Sequence, residues 1–499
     1  MKIRIIGAGV MGRGIAQWAA QAGHAVELAD GRPEAVGDAL AFVGGMLRRA
    51  VEKGRADAAE ADAALARIVP LDDPAAPGDG VDLLVEAIHE DFEAKAELLA
   101  RLERVLPART VFATNTSSLS VTRLASRLAD PSRLAGLHFF NPVPLMKLVE
   151  VVPGALTRPD IPGLLAGLVS ATGHRAVVVA DTPGFLVNHV GRGLNTEAFA
   201  LLEEGVAGPA ELDGIARDVL GLRMGPFELM DLTGLDVTAA VMEGVWEGFR
   251  YSERLRPSYL TPNRVSAGLL GRKTGRGFYD HSGTSGSGGV PPVPAAGGDD
   301  SRSVWLGGAE AEPLRPVLAG AAEDGPEPSE RAIILVPTWG DTVASVIAER
   351  ALPRDRVLGV DPLSIGSPRL VLAATPATDP AVLGDARAVL ARAGVAVSVT
   401  RDTAGSAAQR LLASIISVAC SVAERSIASP ADIDAASMAG LGYPYGPLAW
   451  GERIGADRLL RLQRSLYATT GDPRYRPTRW LTERAQLGLP LTQPSFPAG

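Results

Sequence analysis

Short continuous apolar runs alternate with helix-compatible stretches through the first part of this chain. Ile3 to Ile6 is a β-branched run broken by Arg4. Gly7 to Gly12 is glycine-rich, Gly14 to Gly23 carries helix-forming residues, and Ala25 to Ala29 is a second run ending at Asp30. That order reads as strand, turn, helix, strand. Further strand-type runs follow at VDLLVEAI (Val81 to Ile88), TVFATN (Thr110 to Asn115), LAGLHFF (Leu134 to Phe140) and RAVVVAD (Arg175 to Asp181), several with helical stretches between them. Strands apolar on both faces belong in a mainly parallel sheet covered on both sides. The expected fold class is therefore α/β, with an N-terminal doubly wound Rossmann-type domain. From Pro183 to Tyr279 helical patterning dominates, which predicts a separate α-helical domain.

The stretch Ser282 to Gly298 holds 12 Gly, Pro or Ser among 17 residues and reads as an interdomain linker. The sequence then repeats itself. Asp181-Thr182, Glu203, Asp213, Gly225-Pro226, Gly234 and Asp236 return as Asp402-Thr403, Glu424, Asp434, Gly446-Pro447, Gly455 and Asp457, each 221 residues later. A constant offset of that kind marks an internal duplication. The second copy is expected to start near Arg331 with the strand AIILVP and to end in helices. The predicted domains are 1–182, dinucleotide-binding; 183–281, helical; 282–330, linker; 331–401, a degenerate Rossmann-like piece; and 402–499, a second helical domain.

Composition narrows the chemistry. Of 499 residues, 46% are hydrophobic and 21% charged, the balance of an ordinary folded protein. Lys plus Arg number 49 against 57 Asp plus Glu, a net charge of −8 that argues against a nucleic-acid partner. One cysteine, Cys420, excludes an intrachain disulfide and a cysteine metal cluster, and fits a reducing cytoplasm. Six histidines lack zincin-type spacing, so no metal site is expected. Leu411 to Ala423, the most apolar stretch, is too short for a membrane span and carries three serines.

Gly7-Ala8-Gly9-Val10-Met11-Gly12 is a GxGxxG run. Its context makes it specific: strand before, helix after, and Asp30 closing the next strand. Gly7 permits the tight turn, Gly9 lets backbone approach a pyrophosphate, and Gly12 allows close helix–strand packing. Asp30 suits ribose hydroxyls and would repel a 2′-phosphate, so NAD is expected rather than NADP. Nearby Arg32 works against that preference. A flavin dinucleotide and an empty glycine turn are the alternatives.

His138 closes a predicted strand, and Glu150 follows in MKLVEVV. In a doubly wound fold the carboxyl edge of the sheet is where ligands bind. An imidazole there is suited to take a hydroxyl proton, and a carboxylate on its other nitrogen would fix its tautomer. Alone, His138 reads as a core histidine and Glu150 as a surface charge; only the dinucleotide motif turns them into a candidate pair. Asn115 to Ser120, NTSSLS, offers hydroxyls and amide for a nicotinamide or carbonyl, or a helix N-cap. Asn188, in DTPGFLVN, lies at the junction into the helical domain.

GAGVMGRGIAQ, VEAIHEDFEAK, TNTSSLSVT, GLHFFNPVPLMKLVEVV, DTPGFLVN, GPFELMDLTGLD and GRKTGRGFYD stand here in order. Together they resemble the 3-hydroxyacyl-CoA dehydrogenase family from Lys2 to about Asp280, and the likeness resumes in degraded form in the second half. The resemblance implies NAD-dependent oxidation of an (S)-3-hydroxyacyl-CoA, with His138 as general base and Glu150 as its orienting partner. It implies that Ser117 and Asn188 hold the substrate's 3-oxygen and thioester region, with Asn141 in support. NAD contacts would come from Asp30, Glu90, Lys95 and Asn115, beside Gly7, Gly9, Val10, Met11 and Gly12. A helical hairpin, Pro33 to Ile68 with Arg48, Arg49 and Lys53, would hold CoA, and Lys53 falls where a CoA-contacting lysine is expected. The reverse reaction and a catalytically silent nucleotide-binding protein are the rival readings.

In the second copy, the offset turns His138 into Gly359, Asn141 into Pro362, Glu150 into Val371 and Asn188 into Gln409. One chain therefore has one expected active site. Short family members dimerise through the helical domain, so the second helical domain is expected to form an internal pseudo-dimer with the first, beside any homo-oligomer. A full first half with a reduced second half is similar to the long dehydrogenases of phenylacetate catabolism. Those act on 3-hydroxyadipyl-CoA, whose terminal carboxylate would need a cation; Arg223, Arg272 and Lys273 are candidates. 3-Hydroxybutyryl-CoA is the alternative substrate.

Overall fold

The computed structural model describes residues 1–283, 297–318 and 320–495. Two compact units divide these residues: Met1–His189 with Arg425–Leu441, and Val190–Glu424 with the described residues from Gly442 on.

The first unit is built on eight strands: β1 (Lys2–Ile6), β2 (Ala25–Ala29), β3 (Ile68–Pro70), β4 (Leu83–Glu86), β5 (Val111–Thr114), β6 (Leu134–Phe139), β7 (Leu148–Pro153) and β8 (Arg175–Val178). Their spatial order is β3-β2-β1-β4-β5-β6-β7-β8. Every neighbouring pair is parallel except β6–β7, which is antiparallel. Strand side chains alternate between faces. Ile3 and Ile5 of β1 therefore join one core with Ile15 and Trp18 of the helix Val10–Gln21, Val43 of Pro33–Glu52, and Ile161 and Leu165 of Asp160–Ser170. Arg4, which breaks the first apolar run, is fully buried and paired to Glu27 at 2.7 Å.

Two strands fall outside the predicted runs. β3 has only three residues, and β7 carries Glu150 at its centre, so its apolar pattern is broken by a charge.

The second unit holds the first helical domain, which continues the helix Val187–Glu203 with Pro209–Asp218, Pro226–Thr233, Leu235–Gly248 and Leu260–Ser266. It also holds a smaller sheet of β9 (Val304–Leu306), β10 (Ile333–Pro337), β11 (Val357–Val360), β12 (Arg369–Ala374) and β13 (Ala396–Arg401), ordered β13-β12-β11-β10-β9. The domain boundary at 331 moves accordingly. β9 pairs in parallel with β10, so residues expected to be linker belong to the second sheet. A three-residue strand between Ser303 and Gly307 is too short to stand out as a run of its own. Most of the glycine-rich linker itself, 284–296, lies outside the described residues.

The 221-residue offset runs through the structure. β7 and β12 differ by 221 at both ends, as do the helices Pro226–Thr233 and Pro447–Ile454. Strands β9 to β13 repeat the order of β4 to β8, including the single antiparallel pair, β11–β12. Among the described residues, β1 to β3 have no counterpart. The second sheet is thus the first without the part that carries the glycine loop.

Helix Ala407–Glu424 is long and apolar enough to cross a membrane, yet 89% of it is buried within the fold. At its start Arg410 is fully buried, 2.6 Å from Glu197 and 2.5 Å from Glu204. Further along, the backbone of Ile415 lies so near Gly193 that a Cβ there would come within 2.9 Å. The two helical copies meet face to face along this line.

Candidate active site

β1 ends at Ile6, and the chain turns through Gly7 at φ +105°, a conformation that favours glycine. The helix Val10–Gln21 starts with Gly9 as its N-cap and no side chain satisfying its first N–H groups. A Cβ on Gly12 would lie 1.6 Å from the Gly7 carbonyl, so helix and turn touch there. A Cβ on Gly9 would meet nothing within 4 Å. Free N–H groups at a helix N-terminus, with open space in front, form an anion cradle. Asp30 follows β2; its carboxylate accepts from Ala8 N at 2.8 Å and Arg32 N at 2.9 Å, which fixes it beside the loop. A cavity of about 540 Å³ runs from Gly7, Gly9 and Asp30 past Arg32, Pro74, Ile88 and Leu98 to Arg101. A glycine cradle, an acidic residue at the second strand and an apolar slot beyond it fit a dinucleotide. Val10 is exposed at the helix start and Met11 partly buried behind it.

Along the same carboxyl edge, Glu86 ends β4 and Glu90 follows in the next loop. Lys95 is buried between them, 2.7 Å from Glu86 and 3.3 Å from Glu90, and donates to the Ile88 carbonyl at 3.2 Å. Glu90 accepts from Thr116 Oγ1 at 2.7 Å, Ser117 N at 2.8 Å and Ser118 N at 3.0 Å. Burial works against the charge of Glu90, but Lys95 and these donors outweigh it and hold the carboxyl below its usual range. Glu90, Lys95 and Ser117 therefore form one network, in which Lys95 braces the two carboxylates. Asn115, at the end of β5, accepts from Phe139 N at 2.9 Å and ties β5 to the residue after His138.

His138 and Glu150 face each other across the β6–β7 pair in direct register. His138 Nδ1 lies 2.6 Å from Glu150 Oε2, and both side chains are buried. The other carboxylate oxygen accepts from Leu186 N at 3.1 Å and Val187 N at 2.8 Å, where the helix Val187–Glu203 begins. The preceding turn brings those N–H groups in through Gly184 and Phe185, both at positive φ. Glu150 thus satisfies a helix N-terminus with one oxygen and orients an imidazole with the other. Phe140 and Phe185 flank the ring at 4.5 and 5.7 Å between centroids. Val143, five residues past His138, packs against Gly14 of the dinucleotide helix.

Asn188 lies half-buried in the first helical turn, next to Val187. Asn141 is exposed just beyond β6. Lys53 ends the helix Pro33–Glu52 and is exposed; the small cavity in that hairpin is lined by Arg48, Val51 and Glu52 but not by Lys53. Sequence reasoning assigned no role to Glu86 or to the Leu186 and Val187 backbone, and it did not foresee that Thr116 donates to Glu90. Glu86 carried a signal, since a carboxylate inside the apolar run VDLLVEAI needs a buried partner.

A parallel sheet with a glycine cradle, and a buried imidazole–carboxylate pair on its carboxyl edge, define a nicotinamide-dependent dehydrogenase. Comparison with known proteins narrows the class. Residues 2–182 match the family described as 3-hydroxyacyl-CoA dehydrogenase, NAD binding domain, and residues 184–281 and 405–492 match its C-terminal domain. The chain is 37% identical over 487 residues to 3-hydroxyadipyl-CoA dehydrogenase of Escherichia coli K12, covering 97% of each. Its first half is 38% identical over 284 residues to the mitochondrial hydroxyacyl-coenzyme A dehydrogenase of Sus scrofa, covering 56% of this chain and 90% of that one. The crystal structure of a 3-hydroxybutyryl-CoA dehydrogenase from Escherichia coli K12 superposes with a TM-score of 0.86 at 35% identity over 98% of both chains. The chain belongs to the 3-hydroxyacyl-CoA dehydrogenase family, in a long form with two copies of the C-terminal domain, and is an NAD-dependent oxidoreductase.

Proposed function

We propose that the chain oxidises the C3 hydroxyl of (S)-3-hydroxyadipyl-CoA to the 3-oxo thioester. NAD would be held by the glycine cradle of Gly7, Gly9 and Gly12 and by Asp30, and would supply the acceptor for the hydride that leaves C3. His138 takes the hydroxyl proton on Nε2, and Glu150 holds Nδ1–H and stabilises the charge the ring acquires. Ser117 and Asn188 hold the 3-oxygen and thioester, with Asn141 in support. Glu90, braced by Lys95, and Asn115 bound the nicotinamide end, while Lys53 and Arg48 serve CoA on the hairpin. The observation that carries this reading is the 2.6 Å contact between His138 and Glu150, buried on the edge that bears the glycine loop.

The adipyl substrate is favoured by the full-length likeness to a protein of that name. 3-Hydroxybutyryl-CoA is the second reading, favoured by the name of the long dehydrogenase whose crystal structure superposes end to end. Of the three cations considered for a terminal carboxylate, Lys273 already pairs with Asp236, while Arg223 and Arg272 are exposed. NADH formation at 340 nm with both substrates decides between them: the reading expects a higher kcat/KM for the adipyl compound. His138→Gln is expected to lose most turnover while NADH still binds; near-normal turnover overturns the assignment of the base. The second helical copy takes the place of a partner subunit, a reading supported by the close approach of Gly193 and Ile415.

A further inference from the structure

Helix Pro430–Leu441 belongs by sequence to the second, non-catalytic copy, yet it packs within the unit that holds His138 and Glu150. Its connection to that unit is specific. Ile427 O, just before the helix, accepts from Ala180 N at 2.8 Å, and Asp432 pairs with Arg175 at 3.0 Å. At the far end the helix reaches the dyad's supports. A Cβ on Gly440 would come within 2.9 and 3.1 Å of the two Val187 methyls and 3.2 Å of Leu148 Cδ2.

Those two neighbours matter because of what they hold. Val187 N donates to Glu150 at 2.8 Å. Leu148 precedes Glu150 by two residues on β7, so their side chains share a face. A glycine inside a helix is disfavoured by about 1 kcal/mol relative to alanine, so its presence calls for a reason. The duplication supplies a control. The docking bond recurs in the other copy, where Arg401 N donates to Val206 O at 2.8 Å, both twins of the first pair. The twin of Gly440 is Val219, which bears a side chain, and no dyad stands in the second sheet, where Gly359 and Val371 replace it.

We propose that Gly440 is a positioning residue for the dyad: by lacking a side chain it lets the second copy hold Val187 and Leu148 where Glu150 is correctly seated. The helix Pro430–Leu441 of the second copy is on this proposal a support of the active site. This inference rests on the assignment of His138 and Glu150 above.

The test uses the full-length chain. Gly440→Ala pushes on Val187, and misplacement of about 1 Å at a catalytic pair costs up to about 100-fold, so kcat should fall by about 10- to 100-fold. NADH affinity, read by fluorescence, should stay unchanged. Adding Val187→Ala relieves the contact, and the double variant should recover to within about threefold of Val187→Ala alone. A purely structural role would lower the melting temperature and leave kcat per folded site unaltered, with no such rescue. A Gly440→Ala kcat within about twofold of the parent, or a folded double variant that stays inactive, overturns the proposal. Should Gly440→Ala not accumulate as folded protein, the double variant decides, and failure of both to fold also overturns it. His138→Gln in parallel separates the two readings: if that variant keeps turnover the dyad assignment has failed, and if it is dead only the role of Gly440 is at stake.

Discussion

Glu150→Gln isolates the dyad from the fold. Glu150 has one oxygen on the Leu186 and Val187 N–H groups and the other 2.6 Å from His138 Nδ1. Glutamine is isosteric and can keep its carbonyl on the two N–H groups, so the helix start remains satisfied. Its amide NH2 then faces Nδ1, which must become an acceptor, and the ring proton moves to Nε2. The face that should accept the substrate proton is then already protonated. General-base catalysis is worth about 10²–10⁴-fold, so kcat should fall by that factor, or about 3–5 kcal/mol in the barrier. Initial rates at 340 nm measure the fall, and NADH fluorescence titration should show unchanged binding. Glu150→Ala makes the contrast. It strands two buried N–H groups at about 1–3 kcal/mol each, so the melting temperature drops along with activity. If Glu150→Gln keeps kcat within about fivefold, below the range expected for general-base catalysis, the carboxylate does not set the tautomer and the reasoning is wrong.

Packing and charge set three other expectations. Gly9→Val places its side chain in open space, so the melting temperature should hold while the KM for NAD rises at least about tenfold; Gly12→Ala collides with the Gly7 carbonyl and should unfold the domain, and thermal melts beside NAD titrations separate the two. Burial pushes the Asp213 carboxyl up to about 7, against the bonds from Tyr279 and the Phe227 and Glu228 N–H groups. Its folded value is raised, so its stabilising contribution is full below the unfolded value and is lost as pH rises from about 4 through about 7. Asp213→Asn should flatten that slope in melts between about pH 5 and 8, and an unchanged slope counts against it. Arg410→Met leaves Glu197 buried without its cation at a cost of about 3–5 kcal/mol, and adding Glu197→Leu should restore part of it; strictly additive losses by chemical denaturation would reject the coupling.

The dinucleotide half was legible in the sequence because its parts are local. Glycine spacing, the run before it and Asp30 after it all lie within one strand–helix–strand unit, where short-range patterning decides the structure. The dyad was legible only as residue types. Nothing local says that Glu150 lies on a strand, since a charge at the centre of LVEVVP breaks the apolar pattern. The register that sets it opposite His138 is a tertiary fact. The Leu186 and Val187 N–H groups were invisible for the same reason: backbone donors carry no sequence mark. The early start of the second sheet was hidden in β9, three residues long between a polar stretch and a glycine pair. Lys53, placed by likeness alone, is exposed at a helix end and does not line the hairpin cavity that Val51 and Glu52 border.

The second sheet shows how a site is lost while its scaffold is kept. It retains the order of β4 to β8 and the antiparallel pair that elsewhere carries the dyad. The position of the imidazole is now Gly359, and a Cβ there would already lie 2.4 Å from Val343 Cγ2, so the space has been filled by packing. The nearby polar groups have turned inward. Asp361 is fully buried and takes hydrogen bonds from Ser406 and from Gln409, the twin of Asn188, while Gln409 also bridges Thr338 O and Gly340 N. Burial pushes the Asp361 carboxyl up, the condition of a group sealed inside a network. A fragment with neither glycine loop nor base gains nothing catalytic from being folded. What it does hold is the start of the helix Ala407–Glu424, through Gln409; the chain then runs on into Pro430–Leu441, the helix that ends against Val187 and Leu148. On the proposal made for Gly440, that contact with Val187 and Leu148 is what the second copy contributes to the His138–Glu150 pair, without chemistry of its own.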